Sequence, residues 1–360
     1  MKVLILPSLC VPESGSAIMI ARNLAALFHM EGYETAVCSD QKSRFTDTSF
    51  YITPAPSSLR RIRFRLGTTI EEYMDGHGAF STGWLMKDYQ YILDAIHDFK
   101  PDVIFEIERP SAIPAGRACR LPVFSVVSPG AFRNREFNPD KLNGFNEFLS
   151  RIDQEQVLRY QVLYQNTVCL SFGPKEFLSF PPAYKVLRYG MSCIAPLPYE
   201  PEEKLSIVFS ESSISSRKRR QIIEDAFLGA PYEIYVLAKG MKQGKKENLH
   251  YQNPSRYITI AGSRMCIHDG TDAVTQYCNA LGVPQLIIHD DTWQRSWNGA
   301  CLRRSGAGLT LEESSLTMER LYETYRIIVS DDSFQTNARR LREEALLAGD
   351  LTAVTGFLKK

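Results

Sequence analysis

The chain has 360 residues, of which 44% are hydrophobic and 23% are charged, and this composition is that of a folded globular protein. Its length suits two domains of ordinary size better than one core. The 42 Lys and Arg side chains against 41 Asp and Glu give a net charge of +1, which argues against a basic surface for nucleic acid or anionic membrane. No apolar run reaches the ~20 residues that a membrane span needs.

The N-terminus reads as a first β-strand. It is MKVLILPSLCVPESGS, with one Lys and an apolar run shorter than the core of a signal peptide. The eight cysteines are scattered singly, without a C-x-x-C pair, and the six histidines show no metal-ligand spacing. We therefore expect a cytoplasmic protein with reduced thiols and no structural metal.

The N-terminal half alternates strand and helix. Predicted strands cover residues 2–7, 34–38, 103–107, 123–127 and 168–171, and predicted helices cover residues 16–30, 112–118 and most of 70–100. A strand followed by a helix and another strand predicts a parallel sheet that begins at the first residues.

A proline-rich stretch interrupts the pattern, because residues 180–201 hold five prolines. The alternation then restarts. Predicted strands cover 205–209, 233–237, 258–260, 265–267 and 285–288, and predicted helices cover 216–228, 272–281, 297–304, 318–347 and 351–358. This pattern predicts two doubly wound α/β domains, with a ligand site at the carboxyl ends of their strands, in the cleft between them.

The segment 263–309 carries the clearest chemistry. Its first strand ends in the polar turn His268-Asp269-Gly270-Thr271, which leads directly into a helix. Gly270 lets another group approach the backbone closely, and the helix N-terminus offers N–H groups and a positive dipole that suit a phosphate. Thr275 adds a hydroxyl that is able to cap the helix or contact a phosphate. A plain helix cap at 268–272 remains the alternative.

The next strand also ends in polar residues. Asp290 and Asp291 follow it, and Gln294 and Asn298 come on the next loop and helix. Two neighbouring strands thus become polar at the same edge of the sheet, which favours a binding site over a plain cap.

This segment resembles the donor motif of the inverting UDP-sugar glycosyltransferases with the two-domain GT-B fold, the group that includes bacterial macrolide and plant natural-product glycosyltransferases. The matching residues are Ile267-His268, Gly270, Thr275, Gly282-Val283-Pro284-Gln285, Gln294, Asn298 and Gly306-Ala307-Gly308. The rest of the chain agrees with that group in layout.

The resemblance implies two Rossmann-like domains that face a central cleft. An acceptor-binding domain would cover 1–182, a linker 183–204 and a donor-binding domain 205–345, with a helix in 346–360 that packs back on the first domain. The implied reaction moves a hexose from a nucleotide diphosphate sugar, a UDP-sugar in that group, to a hydroxyl with inversion. The acceptor would be a small molecule or a glycan, and the nucleotide sugar is a co-substrate, so no cofactor is implied.

The resemblance also implies a set of donor contacts: Ser210, Ser212, His268, Asp269, Gly270, Thr271, Thr275, Asp290, Asp291, Gln294 and Asn298. The motif's phosphate-binding His falls on Asp269 when counted back from Gly282, and on His268 if one residue is inserted. The helix Glu that holds the donor ribose falls on Gln276 or Tyr277. Tyr251 or Tyr257 lies where the group stacks an aromatic ring on uracil, although core packing is the alternative for both.

The catalytic base of the group is a His in the first loop, and its position here is Glu13. A base that removes the acceptor proton contributes roughly 10²–10⁴-fold to the rate. Glu108 is the expected orienting carboxylate, with Glu106 next in line. The alternatives are a surface position for Glu13 and, for Glu108, a salt bridge to Arg109 or to another surface cation.

Two competing functions remain open at this point. The departures from the donor motif fit a non-catalytic relative that acts as a protein partner or stabiliser of an active glycosyltransferase. A nucleotide-sugar epimerase is the other possibility, although it would need more converging carboxylates and histidines. The basic run at 217–220 predicts a solvated helix face, or else a rim that attracts anions.

Overall fold

The computed structural model describes residues 1–9, 16–40, 42, 45, 48–56, 67–189, 202–209, 214–238, 241–252, 257–348 and 352–358. The chain forms two compact units. The first comprises Met1–Ser171, Phe180–Arg188 and Leu351–Lys360, and the second comprises Phe172–Ser179 and Tyr189–Asp350. None of the helices in the described ranges is long and apolar enough to cross a membrane.

The first unit is built on a seven-stranded sheet in the order β3-β2-β1-β4-β5-β6-β7. The strands are β1 (Lys2–Pro7), β2 (Glu34–Ser39), β3 (Ser49–Ile52), β4 (Val103–Ile107), β5 (Val123–Val126), β6 (Val168–Phe172) and β7 (Val186–Tyr189). Neighbouring strands from β3 to β6 pair in parallel. The helices are α1 (Ser16–Met30), α2 (Ile70–Gly76), α3 (Thr82–Phe99), α4 (Ala112–Ala118) and α5 (Asn143–Arg151).

The second unit has its own seven-stranded sheet in the order β10-β11-β9-β8-β12-β13-β14. The strands are β8 (Glu202–Phe209), β9 (Glu233–Ala238), β10 (Gly244–Lys246), β11 (Leu249–Gln252), β12 (Ser263–His268), β13 (Gln285–His289) and β14 (Gly308–Glu312). All neighbouring strands pair in parallel except β10 and β11. The helices are α6 (Ser216–Phe227), α7 (Asp272–Leu281), α8 (Trp293–Ser305), α9 (Met318–Ser330) and α10 (Asp332–Leu347), while α11 (Thr352–Leu358) belongs to the first unit.

Both sheets have buried central strands, as parallel sheets covered by helices require. In β1 every residue from Val3 to Pro7 is buried, and in β12 the residues from Met265 to His268 are buried. Glycines in the left-handed conformation end the helices that follow, with φ of +69° at Gly282 after α7 and +70° at Gly306 after α8. The doubly wound α/β architecture predicted from the sequence is confirmed.

The strand order locates one switch point in each sheet. β1 pairs with both β2 and β4, and β8 pairs with both β9 and β12. Ligands of open α/β sheets bind beyond the carboxyl ends of the strands at such a point. Glu13 and Glu108 follow β1 and β4 in the chain, and the turn at 268–272 follows β12. The topology therefore makes these segments candidates for ligand binding.

Some predicted elements differ from the observed ones. The predicted strand at 258–260 is wrong, because Tyr257–Ile260 is a 3-10 helix. The helices predicted from 318 to 347 are confirmed as α9 and α10, which are separated at Asp331, where the backbone angles are extended and the side chain accepts a hydrogen bond from Ser333 N. The strand β7 lies within the predicted linker, and α8 begins at Trp293 rather than Trp297.

The described cysteines carry free thiols: Cys38, Cys119, Cys169, Cys266, Cys278 and Cys301. Five of them are buried and Cys119 is half-buried. Within the described ranges, no group of three or more His, Cys, Asp or Glu side chains is arranged to hold a metal ion.

Candidate functional site

The turn between β12 and α7 depends on Gly270. Its φ is +76°, and a Cβ atom there would lie 2.7 Å from Ile287 Cγ2 on the neighbouring strand β13. A residue with a side chain is disfavoured both by the left-handed backbone and by the buried methyl group. Gly270 therefore has a structural reason to be present, whether or not a ligand approaches its backbone.

The start of α7 is already supplied with hydrogen-bond acceptors from the protein itself. Three successive N–H groups donate to side chains: Gly270 N to His268 Nδ1 (3.1 Å), Thr271 N to Asp269 Oδ1 (3.3 Å) and Asp272 N to Gln294 Oε1 (3.3 Å). The N-terminus of a helix attracts negative charge. In this structure the carboxylate of Asp269 lies in that position.

His268 supports the turn from beneath. Burial lowers the pKa of His268 to about 4, so the ring is neutral at pH 7. Its Nε2 lies 3.0 Å from Gln285 Oε1 and its Nδ1 accepts from Gly270 N, which together fix the proton on Nε2. Gln285 Nε2 donates in turn to Asn279 Oδ1 (2.7 Å), and Asn279 Nδ2 to Gln276 Oε1 (3.3 Å). Gln276, one of the two positions predicted to hold the donor ribose, is thus part of a buried amide network.

Arg295 lies between two carboxylates at the edge of the sheet. It is 2% exposed, and its guanidinium is 3.3 Å from Asp290 Oδ2 and 3.8 Å from Asp269 Oδ2. The other oxygen of Asp290 accepts a hydrogen bond from Thr292 N (2.9 Å) at the start of α8. Asp290 is therefore committed to α8 and Arg295, whereas Asp291 is exposed.

Asn298 and Thr275 hold the turn from the helices on either side. Asn298 Nδ2 donates to Gly270 O (3.0 Å) and to Asp272 Oδ1 (2.6 Å), and Thr275 Oγ1 donates to Thr271 O (2.9 Å). The structure thus brings together eight of the predicted donor contacts: His268, Asp269, Gly270, Thr271, Thr275, Asp290, Gln294 and Asn298. Ser210, Ser212 and Glu13 lie outside the described residues, so their roles stay predictions.

Arg219 belongs to the basic run 217–220, for which the sequence left a solvated face and an anion-attracting rim open, and it lies at this edge. Arg217 and Lys218 are exposed, as a solvated face requires, but Arg219 is only 7% exposed. Its guanidinium carbon is 5.3 Å from the ring centroid of Phe209, the last residue of β8. The signal was its spacing, since Arg219 is three and four residues before the buried Ile222 and Ile223 on the core face of α6.

The charges around Arg219 are those of the same strand edge. Burial is the largest effect on Arg219 and lowers its pKa, the carboxylates of Asp269 and Glu313 raise it, and the guanidinium of Arg295 lowers it. Glu313, which follows β14, is itself 5% exposed. Two buried arginines and several carboxylates therefore meet at the carboxyl ends of β8, β12, β13 and β14.

The first unit has a buried carboxyl group at the end of β4. Glu106 is fully buried and its Oε2 accepts from Arg109 N (3.1 Å), while burial raises the pKa of Glu106 to about 7. Glu108 is half-buried and has a φ of +52°, in the left-handed region that non-glycine residues seldom adopt. The two carboxylates thus differ in environment, and Glu108 is the one with access to solvent.

Arg109 is held by a buried ion pair that fixes the segment after β4. Its Nε donates to Asp88 Oδ2 (3.0 Å), its Nη2 to Asp88 Oδ1 (2.5 Å) and Thr53 Oγ1 (3.0 Å), and its Nη1 to the carbonyl of Cys38. Both charged side chains are 0% exposed. Arg109 is therefore not the partner of Glu108, because Asp88 on α3 binds the guanidinium, while a salt bridge from Glu108 to another cation stays open.

Tyr251 belongs to the core of the second unit. It is 3% exposed and its hydroxyl donates to Glu224 Oε1 (2.9 Å). Core packing is therefore the interpretation that the structure supports for Tyr251. Tyr257 begins the 3-10 helix, and its side chain is outside the described part of the chain.

Comparison with known proteins finds a family match over the segment that contains this site. Residues 258–358 match the family described as erythromycin biosynthesis protein CIII-like, C-terminal domain. The aclacinomycin-T 2-deoxy-L-fucose transferase of Streptomyces galilaeus is 32% identical over 95 residues, which are 26% of this chain and 22% of that protein. The aligned part thus spans about a fifth of that relative's length.

Solved structures share the whole fold at low sequence identity. The glycotransferase of kitacinnamycin superposes with a TM-score of 0.76 at 13% identity, over 99% of this chain and 98% of that one. Spinosyn rhamnosyltransferase gives 0.75 at 14% identity over all of both chains, and the calicheamicin glycosyltransferase gives 0.73 at 13% over 100% of this chain and 98% of that one. The resemblance to GT-B natural-product glycosyltransferases is confirmed for the fold, and the match at 258–358 contains the turn and its amide network.

Proposed function

We propose that the chain transfers a hexose from a nucleotide diphosphate sugar to a hydroxyl group of a small molecule or glycan, with inversion at the anomeric carbon. The observation that carries the proposal is the connected group of polar residues at the start of α7, inside the segment that matches the erythromycin-type family. Spinosyn rhamnosyltransferase, which has the same fold, has been solved in complex with thymidine diphosphate. A sugar linked to a pyrimidine nucleoside diphosphate, UDP or TDP, is accordingly the donor class that we infer.

The diphosphate of the donor would lie at the N-terminus of α7, where the helix dipole favours negative charge. We assign the bonds to sugar hydroxyls to Asp291, which is exposed, and to Gln294, which is half-buried, because both follow the carboxyl end of β13 in the chain. Asp290 has a smaller share in this role, because its carboxylate already binds Arg295 and the start of α8.

The reaction requires no covalent intermediate. The acceptor oxygen attacks the anomeric carbon from the face opposite the nucleotide, its proton passes to a base, and the diphosphate leaves with the electron pair of the broken bond. We assign the base to Glu13 and the orienting carboxylate to Glu108. Positioning and stabilisation of the departing diphosphate supply the remainder of the rate.

Calorimetric titration with UDP and with TDP tests donor binding, and nucleotide release from matching sugar donors with a panel of hydroxyl acceptors tests transfer. Glu13→Gln is expected to lower turnover by roughly 10²-fold or more and to leave donor affinity within a few-fold. Glu31→Gln, at an exposed position after α1, is the matched control. Failure to bind either nucleotide contradicts the proposal. Near-normal turnover of Glu13→Gln would show that Glu13 is not the base.

A further inference from the structure

The start of α7 is a position that favours an anion, and the carboxylate of Asp269 occupies it. Asp269 Oδ1 accepts from both Thr271 N (3.3 Å) and Thr271 Oγ1 (3.1 Å), directly before the first turn of a ten-residue helix. A carboxylate in this position satisfies the helix dipole as a phosphate oxygen would. A ligand anion that enters here competes with Asp269 for the same donors.

The guanidinium of Arg219 is a buried cation that interacts electrostatically with Asp269 and has N–H groups without hydrogen-bond partners among the described residues. Arg219 is 7% exposed, and within the ranges that the structure describes its Nε and Nη1 have no hydrogen-bond partner. Buried donors on a charged group are costly when they are left unsatisfied. The Phe209 ring beneath the guanidinium accounts for one face of it, but a ring face does not replace in-plane acceptors.

Arg219 differs from Arg295, the other arginine of this edge, in its ion pairs within the described residues. Arg295 is shared between Asp290 and Asp269 at 3.3 Å and 3.8 Å. Arg219 is within electrostatic reach of Asp269, but it forms no ion pair with that carboxylate at 4.0 Å or less. Its planar fork of N–H groups therefore has capacity for a planar or tetrahedral oxyanion, which a guanidinium binds through two parallel hydrogen bonds.

We propose that Arg219 binds the diphosphate of the donor and that Asp269 fills the phosphate position at the start of α7 until the donor enters. The inference rests on the proposed function for the identity of the ligand, and it adds the residue that recognises the charge. Binding would move the Asp269 carboxylate away from Thr271, and the diphosphate would take its place between the helix N-terminus and Arg219. Affinity is then set by a competition between two anions for one position.

The proposal predicts opposite changes in nucleotide affinity for substitutions at Arg219 and Asp269. Arg219→Gln removes the cation and is expected to weaken TDP and UDP binding by roughly 10- to 100-fold, with thymidine and uridine, which lack phosphate, unaffected. Asp269→Asn removes the competing charge and is expected to tighten binding of both nucleotides by roughly 3-fold or more. Lys218→Gln, an exposed neighbour on the same helix, is the control and should change binding by less than about 2-fold.

The experiment is isothermal titration of the full chain and its variants with TDP, UDP, the two nucleosides and inorganic pyrophosphate, with a thermal melt of each variant.

If the unmodified chain binds TDP or UDP and Arg219→Gln binds it equally well, the assignment of Arg219 is overturned while the proposed function stands. If the unmodified chain binds pyrophosphate through Arg219 but neither nucleotide, the anion site stands and the proposed function falls. If it binds none of them, both are overturned. Should Arg219→Gln fail to fold, Asp269→Asn decides, because weaker or unchanged nucleotide binding in that variant overturns the competition.

Discussion

Acid is expected to destabilise the second unit through His268. The ring is fully buried, and burial lowers its pKa from an ordinary 6.5 to about 4. Between these two values the unfolded chain binds a proton that the folded chain does not, so stability is present above pH 6.5 and is lost as the pH falls toward 4. At 1.36 kcal/mol for each pKa unit, lowering the pH from 7 to 4.5 removes about 2.5 kcal/mol from the free energy of unfolding of this unit.

The measurement is urea unfolding followed by tryptophan fluorescence at pH 7 and pH 4.5. The chain has three tryptophans, of which Trp84 lies in the first unit and Trp293 and Trp297 lie in the second. In a Trp84→Phe background the signal therefore reports the second unit. The same background with His268→Gln lacks the titrating ring and controls for every carboxylate that protonates in the same range. The reasoning is refuted if the two proteins lose equal stability between these pH values.

Three further predictions concern stability and use urea unfolding followed by tryptophan fluorescence with Trp84 retained, because Trp84 reports the first unit. Glu106, whose pKa is raised to about 7, makes the first unit less stable as the pH rises from 4.5 to 8, and Glu106→Gln should abolish about 2–3 kcal/mol of that loss. Asp88→Asn leaves the buried guanidinium beside it without its counter-charge and should cost about 3–5 kcal/mol, against less than about 0.5 kcal/mol for the exposed Asp94→Asn on the same helix. Gly270→Ala should cost about 1–3 kcal/mol more than Gly32→Ala, because both glycines have a φ of +76° but only the first has a methyl group 2.7 Å from the added Cβ; equal costs would show that the contact is relieved at no expense.

The regular elements of the two sheets were predictable because their periodicity is local. The bounds of β1, α1, β4, α4 and α7 agree residue for residue with the prediction, since each is a buried apolar run or an amphipathic stripe closed by a turn signal. The strands that were missed, among them β3 and β14, lie toward the edges of their sheets. Strands of this kind carry mixed sequences, and their identity depends on pairing with a neighbour that periodicity does not show.

The location of the candidate site could be predicted from the sequence, but the hydrogen bonds among its side chains could not. Two adjoining polar strand ends were sufficient to locate the turn at 268–272, and eight of the predicted donor contacts do lie together there. The direction of each side chain could not be read from spacing. His268 ends β12 with a buried, neutral ring under the turn, while Asp269, one residue later, carries the charge at the helix start. A shift of one residue along a strand reverses the face that a side chain occupies, which is why counting alone left both positions open.

The charge at this edge also depends on residues that are far apart in sequence. Asp269 follows β12, Arg295 lies in α8, Arg219 lies in α6 and Glu313 follows β14. The balance among them exists only when the four strand ends converge, so no single motif displays it. Arg295 forms ion pairs with two carboxylates, whereas among the described residues no carboxylate lies within 4.0 Å of the Arg219 guanidinium. An aspartate at this position would repel a diphosphate if it stood alone, and on the proposal above the charge of Arg219 offsets that repulsion. Because both side chains are shielded from bulk water, salt screens their interaction much less than it screens an exposed pair. The affinity for an anionic donor should therefore respond more to substitution at these two positions than to ionic strength.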